Sequence, residues 1–296
     1  MISASPPETR AYLGVCAAAS LIALAGVGAP PREVQIALLA FGVLVFGLPH
    51  GALDPLIARR AGLAPGRSGV IAFHLAYGAA ALGVLGVWLI APVAALIGFL
   101  IYSAYHFAGD WVRGLSARLI LGAAILSLPA AAHPGEVGAL YAILSGAPAE
   151  RVAALQHQLA VVWIIILALA CVHLARQGRI SAVLELIALG LTAAILPPLI
   201  FFALYFCVLH SPRHFLKIWR RFPDKTTPGT VAAFYTALAA AAAIAAAFML
   251  RPATLEIDAL AVQTVFMALA ALTAPHLIVS SLCDARDRPR ACATSS

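Results

Sequence analysis

His210 and His214 stand four residues apart in the stretch LHSPRHFLKIWR (209–220), at the end of a long apolar run. On a helix this spacing stacks two imidazoles on one face, so both can reach one ion. Pro212 between them removes a backbone donor and is expected to kink the helix, freeing a carbonyl and opening that face. Two further pairs repeat the interval with a carboxylate, His50 with Asp54 and His106 with Asp110. These aspartates admit three readings: partners that orient an imidazole, interfacial partners of Arg59, Arg60 or Arg113, or ligands themselves. The five cysteines (16, 171, 207, 283 and 292) form no C-x-x-C and mostly fall in apolar runs, where cysteine behaves as a small hydrophobe. A set of imidazoles without thiolate suits Fe(II), Zn or Cu, whereas Mg and Ca prefer oxygen. Zinc hydrolysis usually sets a Glu beside the His pair, as in H-E-x-x-H, and HSPRH has none, which points to redox metal chemistry.

The elements that must hold these residues are set by composition. Of 296 residues 63% are hydrophobic and only 10% charged, and mean hydropathy is +0.98. No soluble core could absorb that much apolar surface beneath a polar shell. The chain therefore reads as all-α, a polytopic transmembrane helix bundle forming a single integral membrane domain over 1–296. About 20 apolar residues cross about 30 Å of hydrocarbon at 1.5 Å per residue. Ten such runs are expected, at 11–29, 34–53, 68–90, 92–111, 115–132, 157–175, 180–196, 199–219, 231–250 and 259–282. Pro197 and Pro198 separate the seventh from the eighth, and the ninth is alanine-rich and only mildly apolar. Arg10 and the apolar run ending in GVGAPP (26–31) resemble a signal peptide, but the run is long and more spans follow, so it is read as the first helix. The amphipathic stretch 133–156 is expected to lie on the outer surface.

With the N-terminus placed in the cytoplasm, the outer loops hold only Arg32, Arg151 and Arg251 of the 19 Lys and Arg. Arg213 lies inside the histidine motif, and every other basic residue falls on the inner side. That asymmetry predicts ten helices with both termini cytoplasmic, in the bacterial inner (plasma) membrane. The net charge of +7 thus expresses topology and not a phosphate-binding face, which excludes a nucleic-acid partner.

Depth sorts the nine histidines. His50, His106, His210, His214 and His276 all fall in the cytoplasmic half, on helices that run from outside to inside. His133 and His157 lie on the opposite side. His74 and His173 have a permissible depth but no polar neighbour within a turn on their own faces. For any one intramembrane histidine a hydrogen bond to a neighbouring helix suffices, because a polar group there needs a partner or a cavity. Five at one level call for a shared explanation, a metal ion held by imidazoles aimed inward from several helices. Aromatic residues crowd the same helices, among them Phe46, Tyr105, Phe107, Phe202, Tyr205 and Phe206. Ordinary packing accounts for most; as walls they would suit a long, flat, lipophilic substrate arriving through the bilayer.

Taken together, GLPHGALD (47–54), YHFAGD (105–110), HSPRH (210–214) and APH (274–276) resemble the Brp/Blh family of bacterial β-carotene 15,15′-dioxygenases. The resemblance implies a multi-pass membrane enzyme that uses non-haem Fe(2+) and O2 to split β-carotene at its central double bond into two molecules of all-trans-retinal. It maps the family's four iron-binding histidines onto His50, His106, His210 and His214, the expected metal-binding and catalytic residues. His276 fits the pattern without a ligand role being implied. Four neutral imidazoles would leave two positive charges uncompensated at low dielectric, which is costly. Spacing therefore makes Asp54 and Asp110 the expected source of nearby negative charge, with His276 beside them in a supporting position. The expected partners are a lipophilic carotenoid, O2 and the lipid bilayer. The competing reading is a membrane transporter or channel with a histidine-rich metal or proton site. That would need polar residues through both leaflets, and Glu185, the other intramembrane carboxylate, also falls on the inner side. A di-iron desaturase would need more clustered histidines, and a haem protein with two axial histidines would show a Soret band.

Overall fold

Proline and glycine set the helix boundaries. In the computed structural model, which describes residues 5–250 and 256–293, Pro6 and Pro7 open α1 (Pro7–Leu24), and Gly26, at φ 78°, ends it in the left-handed region. The chain continues through α2 (Arg32–Gly42), a π-helical segment (Val43–Gly47), α3 (Leu48–Gly51) and α4 (Asp54–Arg60). Next come α5 (Gly66–Ile90), α6 (Pro92–Ala108) and α7 (Leu115–Ala132). Then follow α8 (Pro134–Ser145), a 3-10 turn (Ala147–Ala149), α9 (Glu150–Gln158), α10 (Ala160–Arg176) and α11 (Ile180–Ile195). The last third holds α12 (Pro198–Ala203), a second π segment (Leu204–His210), α13 (Ser211–Trp219), α14 (Thr226–Leu250) and α15 (Ile257–Ala293). The described residues contain no strand.

Among the described residues, six helical runs are long and apolar enough to cross a bilayer: Arg32–Arg60, α5, α7, Pro198–Trp219, α14 and Ile257–Cys283. The pair α9 and α10 passes the same test but bends by 56°, so the amphipathic stretch runs directly into the next apolar helix. α6 and α11, expected as full spans, are apolar but have only 17 and 16 residues. Both still bury core side chains, including Leu96 on α6 and Leu186 and Leu189 on α11. Large apolar side chains such as Ile90, Phe248 and Met249 face outward. Arg251, counted above among the outer cations, lies outside the described residues.

Each π segment ends two residues before a proline, Pro49 in one case and Pro212 in the other. Proline has no N–H to give, and its ring crowds the carbonyl four residues back. Widening the preceding turn relieves both problems. The opening expected at Pro212 is thus a widened turn. The two π segments touch at Gly47, where a Cβ would stand 2.7 Å from the Phe206 ring. α6 and α7 meet more closely still at Gly122, where a Cβ would fall 1.9 Å from the Ala104 carbonyl oxygen. α14 lies at the periphery with little of its surface buried. The turn before it is closed by Asp224, which accepts hydrogen bonds from the Thr226 and Thr227 backbone N–H groups at 3.0 and 3.3 Å. Those donors hold its exposed carboxyl down at about 2.

Candidate metal centre

The broken helices bring five imidazoles into one cluster: His50 from α3, His106 from α6, His210 at the end of the second π segment, His214 from α13 and His276 from α15. The His50 ring centroid lies 5.0 Å from that of His276, 5.8 Å from His210, 6.3 Å from His214 and 6.5 Å from His106. His106 stands 4.8 Å from His210 and 5.2 Å from His276, and the rings of His210 and His214 are 4.6 Å apart. The i, i+4 pair in HSPRH therefore stays on one face across the π-to-α junction.

The carboxylates are not paired as their spacing suggested. Asp54 accepts from Nδ1 of His276, at 2.9 and 3.0 Å from its two oxygens, and from the Tyr77 hydroxyl at 3.0 Å. Asp110 accepts from Nδ1 of His210 at 3.0 Å and from Nε2 of His214 at 3.2 Å. The i, i+4 geometry fails because α3 stops at Gly51 before α4 begins at Asp54, and α6 stops at Ala108 before Asp110. Each Asp consequently turns to histidines from a different helix. Neither acts as a surface partner of a basic residue, since Asp54 is fully buried and the Asp110 side chain is 3% exposed.

These contacts define which nitrogens can bind a cation. A ring that donates Nδ1–H to a fixed acceptor keeps its lone pair on Nε2. His50 donates to the Gly47 carbonyl, His210 to Asp110 and His276 to Asp54. The Nε2 atoms of His210 and His106 face each other at 3.1 Å. Ligand atoms fall into two groups, each with its members within 4.8 Å of one another: His50 with His106 and His276, and Asp110 with His210 and His214. The donor set fits a borderline transition metal such as iron and lacks the oxygen cage that Mg or Ca would need.

Arg213 finds its place behind this cluster. Its guanidinium bonds to Glu185 and stands 3.7 Å from Asp110 and 3.4 Å from the Thr9 hydroxyl. Glu185 also accepts from Thr9 at 2.5 Å and from the Trp111 indole N–H at 2.9 Å. α1, α11, α13 and the segment after α6 thus converge on one buried ionic network that ends on the carboxylate holding His210 and His214.

A cavity of about 400 Å3 reaches the cluster from the side of α3, α5, α14 and α15. His50 and His276 stand in its wall, with Tyr77, and most of the remaining lining is apolar, including Phe73, Leu238, Leu269 and Leu272. None of the six aromatic residues expected to form a substrate passage lines it. Phe46 is exposed, and Tyr105 carries the Arg118 guanidinium 5.0 Å above its ring. Phe107, Phe202, Tyr205 and Phe206 pack behind the cluster instead; Phe107 lies 4.8 Å from His210 and Phe206 lies 5.8 Å from His50. His74 finds its polar partner on another helix, where its Nε2 meets the Tyr235 hydroxyl at 2.6 Å, and both line the cavity. That partner is 161 residues away, and nothing local in the sequence signals it. His133 stands 3.8 Å from Glu136 and His157 bonds to the Ala131 carbonyl; His173, against expectation, has a polar neighbour on its own face, Gln177 one turn on at 2.8 Å.

Residues 41–284 match the family model described as beta-carotene 15,15'-dioxygenase. A curated relative, the beta-carotene 15,15'-dioxygenase of uncultured marine bacterium 66A03, is 30% identical over 259 residues, which cover 81% of this chain and 91% of that protein. No solved structure matches.

Proposed function

The chain belongs to the β-carotene 15,15′-dioxygenase family, and from that premise we propose that it cleaves β-carotene at the central 15,15′ double bond to give two molecules of all-trans-retinal. One C=C bond is broken and two C=O bonds form, both oxygens coming from one O2. The observation that carries this reading is the meeting of five clustered imidazoles, four of them buried and His214 partly so, with an apolar cavity whose wall His50 and His276 enter. His50, His106, His210 and His214 would hold Fe(II). When bound, that ion supplies the redox chemistry that lets ground-state O2 react with an alkene.

The protein's own contribution is orientation and exclusion of water. Asp110 fixes the rings of His210 and His214, and the Gly47 carbonyl fixes that of His50. The apolar walls accept an isoprenoid chain and offer no hydrogen bond along most of its length, so orientation comes from shape. His50 and His276 are the members of the cluster that stand in that wall, and the central bond of the polyene would lie beside them. A relay reading has less support, because Glu185 is already bonded to Arg213, Thr9 and Trp111.

The topology that goes with this function is ten crossings of the bacterial inner membrane, with both termini cytoplasmic and the site in the inner half. The test is expression in a bacterial host that accumulates β-carotene. Loss of orange colour with retinal in the extract is the expected outcome, and His210→Ala should leave the colour unchanged. Intact β-carotene beside folded, iron-loaded wild-type protein would overturn the substrate, and an active His210→Ala would overturn the ligand assignment.

A further inference from the structure

We propose that His276 is a fifth metal-binding imidazole, held in place by Asp54, so that one ion is shared by His50, His106, His210, His214 and His276. The inference rests on the metal-dependent reading above and extends it to a residue outside the four-histidine set. Three observations carry it. First, one ring nitrogen of His276 lies within 4.8 Å of ligand nitrogens on both His50 and His106, the same closeness that groups His210, His214 and Asp110. Second, the ring is 3% exposed and its Nδ1–H is given to both oxygens of a fully buried carboxylate, which leaves the Nε2 lone pair for a cation. Carboxylate, imidazole and metal in series is the arrangement that fixes a ligating histidine in other metal sites. Third, Tyr77 donates to the same Asp54 at 3.0 Å, so the carboxylate that aims His276 is itself held.

A competing role would make His276 only a hydrogen-bond link between α15 and α4. The Ser280 hydroxyl is 3.5 Å from Nε2, at the outer limit for a bond and on a rotor that can turn away. The link role needs Asp54 and an N–H; the ligand role also needs the imidazole lone pair. Glutamine at 276 separates them, since its amide can still donate to Asp54 but cannot replace the imidazole.

The experiment loads full-length protein in detergent with Co(II) or Fe(II). It reads metal per chain, affinity against a competing chelator and the visible ligand-field bands of the Co(II) form. Wild type should hold one ion per chain. His276→Gln and Asp54→Asn should each weaken binding by about tenfold or more and shift the bands, while Ser280→Ala leaves both unchanged. Unchanged affinity and bands in a folded His276→Gln protein would overturn the assignment, as would two ions per wild-type chain. X-ray absorption at the metal edge of wild type gives a readout that does not depend on variants folding: five imidazoles are expected and four would overturn the proposal. Wild type that binds neither ion would defeat the metal reading itself, a result distinct from failure of His276 alone.

Discussion

Arg213 is set between two carboxylates whose side chains are buried, Asp110 and Glu185. Removing one member of such a network leaves charge buried without compensation, which costs about 3–5 kcal/mol, whereas replacing a set by apolar groups is often close to neutral. Arg213→Met should therefore destabilise the metal-free protein by about that amount, and Glu185→Leu in the same chain should recover much of the loss; thermal unfolding in detergent measures both. The same variants should weaken metal binding less than Asp110→Asn does, because Arg213 acts on His210 and His214 only through Asp110. A chelator titration that ranked Arg213→Met above Asp110→Asn would remove that order of influence.

Among the elements, the two π segments and the cavity decide what could be read ahead of the fold. That these five histidines belong together was legible, because counting residues along apolar runs puts them at one expected level, and the five rings do meet. The partners of Asp54 and Asp110 were not, because i, i+4 reasoning assumes an unbroken helix and both aspartates fall beyond a helix end. The chamber was missed for a related reason. Phe107 on α6, Phe202 on α12 and Tyr205 and Phe206 on the second π segment pack behind the imidazoles, while the open side is lined by small residues of α5 and α14 such as Gly78, Ala239 and Ala242. Alanine gives no sign in a sequence of whether it faces lipid, a neighbour or a void. If substrate lies in that chamber, Ala242→Phe should cut cleavage at least tenfold while metal content stays at the wild-type level, since the added ring fills space that touches no metal-binding nitrogen. Full turnover with Ala242→Phe would move the substrate elsewhere.

For the whole molecule, the expected arrangement of basic residues makes a claim about sidedness. Reporter fusions at both ends should behave as cytoplasmic, and a reporter inserted in the turn at 146–149 should behave as external; an external C-terminus would mean an odd number of crossings. The bond between His276 and Asp54 joins residues 222 positions apart, nearly the two ends of the bundle. Synthesis proceeds from the N-terminus, so Asp54, His50, His106, His210 and His214 are all made before α15 emerges. Until then Asp54 has the Tyr77 hydroxyl but not its histidine. The nascent chain therefore carries an unfinished polar pocket through most of its assembly, and the arrival of the last helix both closes the bundle and relieves that charge.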